Sequence, residues 1–515
     1  MKTLLLLLAL YGTPDFESAV LFLTGAASLE DLDETTLERF RDLQLRPLEL
    51  NLCSRSRLVA SGLMNAFQAA SFLDWKSRSG DVLSYTELEL VDGFNHDYAE
   101  ALKPFTRLST SDPPGKRKHN KIHNDLMVRG AAKKTGNNDF EYNWGLKYKV
   151  TLGETACLHW STRTTYSNQT MDIGTVSAAL YGKKHLGKLV LGHFNARFGQ
   201  GLNIWSGFSM QPWSSVSAFR RSGTGFTPTG SFSPGYCGAA ADLEFGRWNV
   251  AAAYAVKERM PMGAISYIGK RFSAGLTAKT GALGIDFKMG LPNLGLYGEF
   301  CWQGRPDVVL GIRWLPRYGT EIASFLRYAS GLPELAAGIS ARSFNGVAYW
   351  STRQFRMMVK YNPSIVLGQA TIIPALRVAA CRKENWRLEA RGEMQVQAWK
   401  WMARTRLDLV RCTDVSWLFN AEAGRSEGNI RAWLRWTLFK VENWDDRIYV
   451  YERDAPGSFN VPAYYGKGWA LSLAGTWKIG RSHSIYYRVS YIEYPWMTAN
   501  KDAKLEVKIQ YQLSL

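Results

Sequence analysis

Long apolar runs are missing from this chain of 515 residues. No stretch reaches the roughly 18 consecutive apolar residues that a membrane-spanning helix needs. Yet 46% of the residues are hydrophobic, and the mean hydropathy is −0.21. This absence excludes an ordinary helical membrane protein. The length is compatible with two or three soluble domains or with one large β-barrel.

Cysteine is scarce, and several enzyme motifs are absent. The six cysteines lie far apart and form no Cys-x-x-Cys pair: they are Cys53, Cys157, Cys237, Cys301, Cys381 and Cys412. This spacing supports neither a disulfide framework nor a cysteine metal site. The seven histidines show no metal-binding spacing, and no Gly-x-x-x-x-Gly-Lys phosphate loop occurs. We therefore expect neither a bound metal nor a cofactor.

Regular alternation is what the chain has instead, and it is clearest at the C-terminus. Every second residue from Leu505 to Leu515 is apolar, and the residues between them are polar. Successive side chains of a strand point to opposite faces, so this segment predicts one apolar and one polar face. A chain that ends on such a strand resembles bacterial outer-membrane β-barrels. The resemblance implies a closing strand that contacts outer-membrane lipid and lipopolysaccharide.

Aromatic content and further alternating segments favour the same fold. The chain has 19 Trp, 24 Tyr and 24 Phe, and membrane barrels place Trp and Tyr at both lipid–water interfaces. Alternation recurs at Tyr142–Leu152 and Ile485–Tyr491. We predict a mainly β fold, a transmembrane antiparallel β-barrel of about 14–20 strands over residues 139–515. The last strand is expected to pair with the strand near Tyr142. A large soluble sandwich or propeller is the alternative.

The N-terminal part has a different pattern. Lys2 followed by the apolar stretch Leu4–Leu10 is typical of an export signal, so we predict a signal peptide within residues 1–27. Residues 28–110 show helical periodicity and helix-start residues, which predict a small all-α periplasmic domain. Residues 111–138 are rich in Ser, Pro, Gly, Lys and Asn and predict a basic linker.

Charge divides the chain at the same place. Residues 1–110 contain ten Lys and Arg against sixteen Asp and Glu, a net charge of −6, whereas the whole chain carries +18. The remainder is therefore strongly basic. Arginines alternate with apolar residues around Arg404 and Arg431, as expected for strands with one face toward an aqueous lumen. An acidic helical domain is a poor match for a nucleic-acid phosphate.

The helical segment resembles a tandem helix-hairpin-helix domain of the competence, ComEA-like type. The resemblance lies in segments that occur in the family's order: Pro47–Asn51, Asp74–Lys76, Leu83–Leu88, Val91–Phe94 and Leu102–Phe105. The family's hairpins hold a DNA phosphate on free backbone N–H groups. Here the hairpins lack a Gly-x-Gly. Protein docking is therefore the first expectation and DNA binding the second, with Gly62, Asn65, Gly93 and Asn95 as candidate hairpin residues.

A motif inside the predicted barrel gives a second resemblance. The run Arg197-Phe198-Gly199-Gln200-Gly201-Leu202 is followed by Trp205-Ser206-Gly207-Phe208 and by Arg220-Arg221-Ser222-Gly223. With the helical segment, this run resembles a family of Bacteroidetes outer-membrane proteins of uncharacterised function. We expect the following segment to fold into the lumen as a constriction or to form an external loop. The candidate residues are Arg197, Gly199, Gln200, Gly201, Trp205, Arg220 and Arg221.

Catalysis has little support in the sequence. His159 and Ser161 share one strand face and resemble the His-x-Ser pair of outer-membrane phospholipase, but no third catalytic group follows nearby. We therefore predict a non-enzymatic outer-membrane barrel, either a channel or the membrane subunit of an export or assembly machine. Its helical domain would dock protein partners in the periplasm. DNA uptake and hydrolysis are the alternatives.

Overall fold

The computed structural model describes residues 16–109, 122–182, 185–231, 235–456, 458, 460–480, 482–497 and 501–515. Its main body is a closed antiparallel barrel of 24 strands. The fold class predicted from the alternation is confirmed, because every strand pairs with a neighbour on each side and no edge is left open.

The barrel strands follow one another around the wall in chain order. They are β1 (Ile122–Thr135), β2 (Glu141–Leu152), β3 (Ala156–Arg163), β4 (Asp172–Tyr181), β5 (Leu186–Arg197), β6 (Tyr236–Phe245), β7 (Trp248–Ala255), β8 (Met260–Ile268), β9 (Phe272–Lys279), β10 (Ala282–Gly290), β11 (Leu294–Trp302), β12 (Pro306–Arg317), β13 (Thr320–Ala329), β14 (Leu332–Ala341), β15 (Phe344–Ser351), β16 (Gln354–Tyr361), β17 (Ala370–Arg382), β18 (Trp386–Ala398), β19 (Trp401–Arg411), β20 (Val415–Arg425), β21 (Ile430–Val441), β22 (Gly466–Ile479), β23 (His483–Glu493) and β24 (Lys504–Ser514).

The expected strand number of 14–20 was too low. It assumed about 20 residues for each strand with its connection. Many hairpins in the wall turn within two or three residues, as at Gly246–Arg247 and Thr280–Gly281. The same length of chain therefore forms more strands. Short additional strands extend the wall or line it from inside: Gly225–Pro228, Ile365–Leu367, Ile448–Tyr449 and Ala463–Tyr464.

The barrel begins earlier in the chain than residue 139. Part of the predicted linker, Ile122–Thr135, is strand β1, and β24 closes the barrel against β1 and not against the strand near Tyr142. Val128 is paired with Tyr511 in this register. The strand escaped recognition because its outward positions include Gly130 and Ala132, which carry little hydrophobic signal. Its basic residues are also typical of a solvent-exposed linker.

The two faces of the wall differ as the alternation predicts. On β19, Trp401, Leu407 and Leu409 point outward and are 61%, 44% and 45% exposed. Between them, Arg406 and Asp408 point inward and are buried. Such an arrangement presents apolar side chains to lipid and keeps charged groups in the interior.

The N-terminal segment folds into a compact helical unit. Its helices are α1 (Phe16–Thr24), α2 (Glu34–Leu45), α3 (Arg55–Ala60), α4 (Ala66–Ser79), α5 (Tyr85–Leu88) and α6 (His96–Leu102). The short parallel pair Leu48–Glu49 and Thr106–Arg107 closes the unit. Phe40, Phe72 and Phe105 lie fully buried in its own apolar core. No helix among the described residues is long and apolar enough to cross a membrane.

Helix α1 lies within the residues predicted as the signal peptide. Ala19 and Val20 are buried in the core of the helical unit, and Phe16 packs edge-to-face on Phe105. Residues 16–24 therefore belong to the folded domain, although they fall within the predicted leader 1–27. The apolar stretch Leu4–Leu10 lies outside the described residues, so the export signal itself stays a prediction.

The helical unit lies within the barrel and fills part of the lumen. It forms ion pairs or hydrogen bonds with inward-facing residues on β1, β2, β6, β16, β18 and β19, which are spread around the wall. We call residues 16–108 the plug. We call the barrel end where β1 begins and β24 ends the terminal end, and the opposite one the distal end. Arg46 contacts the carbonyl oxygens of Asn124 and Leu515, which places part of the plug at the terminal end.

Candidate functional site: the occluded lumen

The inner wall near the plug carries a dense set of paired charges. On β18 and β19, Asp408 accepts from Arg391 at 2.7 Å and from Arg406 at 2.5 Å. On β20 and β21, Glu422 pairs with Arg435 at 2.5 Å. All of these groups alternate with outward apolar residues, as the sequence indicated. The wall thus holds its arginines in fixed positions without neutralising all of them.

Two plug carboxylates complete this network. Glu17 on α1 lies 2.5 Å from Arg404, and it lies 2.7 Å from Arg453. Burial by itself raises the pKa of Glu17, but the two guanidinium groups outweigh it and hold this pKa at about 2. Glu30 lies 2.5 Å from Arg406 and 3.7 Å from Arg391. Against the effect of burial, these arginines keep its pKa well below the usual value.

Ion pairs hold other faces of the plug to the wall as well. Asp42 pairs with Lys149 of β2 at 2.9 Å, and Arg46 pairs with Asp125 of β1 at 2.8 Å. Arg57 on α3 binds Glu154 in the β2–β3 turn at 2.8 Å. Carboxylates of the plug therefore meet cations of the wall, and cations of the plug meet carboxylates of the wall.

The plug–wall interface is consequently polar, whereas the plug's interior is apolar. Thr35 Oγ1 donates to Ser231 Oγ at 3.2 Å, and the Lys360 ammonium donates to the carbonyl oxygen of Ala27. In contrast, the core of the plug contains aromatic and aliphatic side chains from all parts of the unit. A plug with its own core and a polar exterior retains its fold when its outer contacts are hydrated.

Residues 198–231 form a first inner loop that binds the wall through Glu299. This inward-facing carboxylate on β11 accepts backbone N–H groups of Gln200, Leu202 and Asn203 at 2.6, 3.1 and 3.2 Å. Gly199 has a φ of +58°, and a Cβ there would lie 2.8 Å from a Glu299 oxygen. Glycine therefore permits both the turn and the close approach.

Most predicted motif residues lie together beside this turn. Gly201 has a φ of +82°. The guanidinium groups of Arg197 and Arg221 lie 5.7 and 5.2 Å from the Trp205 ring centroid. The backbone N–H of Arg221 donates to the side-chain oxygen of Gln200. Burial lowers the pKa of Arg221 to about 10.

Arg220 lies beside this cluster. Its side chain is exposed, and the adjoining Phe219 carbonyl accepts from Tyr297 of β11 at 3.0 Å. The loop contacts inward-facing residues of the wall, so of the two readings the geometry agrees with the lumen loop. A role in constricting the lumen stays a prediction.

Residues 442–456 and 460–465 belong to a second inner loop, which sequence reasoning missed. The buried Asp446 carboxylate accepts three backbone N–H groups from the β19–β20 turn, those of Cys412, Thr413 and Asp414. Further along, Arg453 bridges Glu17 of the plug and Glu422 of the wall, the latter at 2.8 Å. This loop begins at the distal end and reaches the plug directly.

The candidate hairpin residues shape the turns of the plug. Gly62 and Gly93 have φ values of +71° and +92°. Asn65 caps α4 by accepting the Gln68 N–H at 3.0 Å, and Gln68 accepts the Asn65 N–H in return at 3.1 Å. Two helix-turn-helix units are thus present, but the first one uses its free N–H groups within its own cap.

Asn95 caps α6 in the second unit by accepting the Tyr98 N–H at 2.9 Å. The two units are joined by a bond from the Gln68 side chain to the Gly93 carbonyl at 2.9 Å. Neither a ComEA-like identity nor a docking role of these residues follows from this geometry.

The His159–Ser161 pair does not form a nucleophile and base. Ser161 Oγ bonds Thr175 Oγ1 at 2.6 Å, and neither ring nitrogen of His159 has a hydrogen-bond partner among the described residues. Across all residues that the structure describes, no group of three or more His, Cys, Asp or Glu side chains is arranged to hold a metal ion.

Several charged contacts of the plug were missed for identifiable reasons. Glu17 lay within the predicted leader, and Glu30 was one acid among many in an acidic segment. Arg453 lies between strands, where periodicity gives no signal. The opposite net charges of plug and barrel were the one indication that the two parts bind each other.

Comparison with known proteins leaves the family open. No family model and no curated protein matches this chain. Among solved structures, OpdL of Pseudomonas aeruginosa is 8% identical over 76% of this chain and 98% of its own, with a TM-score of 0.34. OccAB3 of Acinetobacter baumannii is 8% identical over 77% of this chain and 100% of its own, with a TM-score of 0.32. The translocation pore of the P pilus usher PapC is 8% identical over 76% and 99%, with a TM-score of 0.38.

Proposed function

We propose that this protein is a non-enzymatic outer-membrane channel that opens when its N-terminal plug leaves or shifts within the lumen. One observation carries the proposal: a wide barrel is filled by a separately folded unit that is held by polar contacts. Barrels of 16–18 strands already enclose an aqueous channel, and larger ones are occluded by plugs. A 24-stranded wall therefore has room for both a plug and a transport path.

The chemistry of the interface favours reversible seating. Buried ion pairs contribute little net stability, because desolvation offsets much of the attraction between the charges. When the plug moves, Glu17 and Arg404 both regain water, so the loss of their contact is partly compensated. The apolar core around Phe72 stays inside the plug and opposes its unfolding.

The orientation of the barrel supports a periplasmic docking role for the plug. In bacterial outer-membrane barrels, short turns face the periplasm and longer loops face outward. Both inner loops start from the distal end, so we assign the terminal end to the periplasm. Asp92, Asn95 and His96 of the second hairpin are exposed. We infer that a protein partner of an export or assembly machine engages the plug there. DNA is disfavoured because the plug is acidic.

A reversible lock tests the channel proposal. Thr35 of the plug and Ser231 of the first inner loop have side-chain oxygens 3.2 Å apart. Cysteines at these positions would place their sulfurs close to bonding distance. We expect T35C/S231C to form a disulfide that keeps the plug seated. Conductance of the purified protein in planar bilayers should then be suppressed under oxidising conditions and restored by a reductant.

The single variants T35C and S231C provide matched controls and should conduct equally with and without reductant. If the oxidised double variant conducts as freely as the wild type, movement of the plug is not needed for passage and the proposal fails. The partner proposal has a separate test, in which proteins that co-elute with the detergent-extracted chain are identified. A chain that always elutes alone contradicts the machine role but not the channel.

A further inference from the structure

A small cavity separates the plug from the wall beside the second inner loop. Its volume is about 60 Å³, which exceeds the space that one water needs. Arg41 of α2 lines it from the plug, Arg431 and Trp433 of β21 line it from the wall, and Arg453 and Asp454 line it from the loop. Three structural parts therefore meet around one polar space that is partly open.

Two residues that line this cavity each carry a buried donor without an acceptor. Arg431 Nε and Trp433 Nε1 are inaccessible to solvent and have no hydrogen-bond partner among the described residues. Both side chains project from the same face of β21, two residues apart, and both line the cavity. A buried donor without an acceptor costs free energy, so a small rotation of either side chain toward an acceptor in the cavity would be favourable.

The charge balance of the cavity is positive. Arg453 is compensated by Glu17 and Glu422, and Asp454 is compensated by Lys508 at 2.9 Å. Arg41 and Arg431 form no ion pair with any carboxylate in the described part of the chain, and like charges that line one small cavity repel each other. Water would satisfy the free donors but would leave this repulsion in place. An anion would remove both deficits.

We propose that this cavity binds a small oxyanion, such as inorganic phosphate or the phosphate group of a larger solute, between Arg41, Arg431 and Trp433. A guanidinium group and a neighbouring indole N–H provide converging donors for oxyanion oxygens. The anion would bridge the plug and the wall. Binding to the closed arrangement alone would shift the equilibrium toward the seated plug. This regulatory consequence, unlike the binding itself, rests on the proposed channel function.

Calorimetric titration of the full-length protein, in detergent and in phosphate-free buffer, tests the site. Saturable binding of inorganic phosphate is expected. R431M should lower the affinity about tenfold or more, because it removes a charged donor. W433F removes only the N–H group and should lower the affinity by a few-fold. R313M is the matched control: Arg313 is an inner-wall arginine of β12 that is paired with Glu321 at 2.7 Å, and its loss should leave binding unchanged.

A parallel titration with glycerol 3-phosphate identifies the source of the anion. Equal affinity for both probes assigns recognition to the oxyanion alone, and tighter binding of the ester assigns it to the phosphate end of a larger solute. No saturable binding of either probe, or equal binding by R431M and R313M, overturns the proposal. W433F keeps the charge of Arg431 and most of the aromatic ring. A loss of affinity in W433F therefore reports lost recognition and not a misassembled barrel.

The regulatory consequence is measured separately. Phosphate should lower the conductance of the wild type in planar bilayers and have less effect on R431M. Suppose that phosphate binds although the T35C/S231C disulfide leaves the conductance unaffected. In that case the oxyanion site stands and the channel proposal fails.

Discussion

At the scale of single residues, a few charges decide where the plug sits. Glu17 is 6% exposed and contacts two arginines, one from the wall and one from the second inner loop. Removing one partner of a buried ion pair is costly, because the remaining charges lose their compensation in a poorly solvated place. Arg404 has its ion pair with this carboxylate of α1, whereas Arg453 also pairs with Glu422 of the wall.

We expect E17Q to weaken plug seating by about 3 kcal/mol, roughly a hundredfold in the closed–open equilibrium. The readout is the opening frequency in planar bilayers. D92N removes a carboxylate from the exposed hairpin of the same plug and should leave the frequency unchanged. Equal behaviour of the two variants would show that overall plug charge, and not the Glu17 contact, determines seating.

Low pH should also release the plug. The pKa of Glu17 is about 2 when seated, against a usual value of 4.5. Since the seated pKa is lowered, the stabilisation is complete above 4.5 and is lost as the pH falls toward 2. Glu30 acts in the same direction. We expect a constant opening frequency from pH 8 to 5, a rise below 4.5, and a smaller rise in E17Q. A rise between pH 5 and 8 would contradict this origin.

Gly199 allows a second residue-scale test. Its φ of +58° and the contact with Glu299 predict that G199A loosens the first inner loop by about 1 kcal/mol or more. G246A is a matched control, because Gly246 has a φ of +59° and open space around it. Limited proteolysis of the loop is the measurement. G246A strains a turn outside this loop and should leave cleavage of the loop at the wild-type rate, so equal cleavage of the two variants would contradict a role of Gly199 in holding the loop.

At the scale of elements, the alternation of each strand carries the fold. A period of two predicts which residues point outward, and β19 follows it along its whole length. The turns are harder to place from sequence, because many consist of only two residues without a distinctive pattern. That difficulty led to the low strand estimate. Strand β1 was missed because an amphipathic strand with Gly130 and Ala132 on its lipid face resembles a polar linker.

The outward face of β19 gives a prediction at this scale. Leu407 lies near the middle of the strand and is 44% exposed. An arginine there would face the hydrocarbon core, so L407R should destabilise the barrel by about 2–4 kcal/mol. V415R lies at the distal end of β20 and should cost about 0–1 kcal/mol. Stability is measured by urea unfolding in lipid. Equal costs would contradict the proposed depth of these positions in the bilayer.

At the scale of the whole molecule, the protein consists of a wall and a plug that are stabilised differently. The wall is closed by strand pairing, including the β24–β1 junction, whereas the plug has its own apolar core. Their mutual contacts are largely ionic. The two bodies should therefore fold separately and associate afterwards.

Deletion of residues 16–108 should thus leave an assembled barrel, because no strand of the wall depends on a plug residue for its pairing. Heat-modifiable migration on gels measures assembly, and planar bilayers should record a larger conductance than that of the intact chain. The two retained inner loops will limit this conductance. Failure of the truncated chain to assemble would show that the plug acts as a folding scaffold.

The sequence by itself determined the apolar outer face of the strands, the barrel and the separate helical segment. Periodicity and composition are local properties, so they can be read without the tertiary structure. It also marked Gly199, Trp205 and Arg221 as a unit. Tertiary structure decided the strand number, the β24–β1 closure and the position of the helices inside the lumen. The pairing of Glu17 with Arg404 joins residues from distant parts of the chain. Such contacts depend on how the closed wall brings many strands around one space, and no local pattern records that.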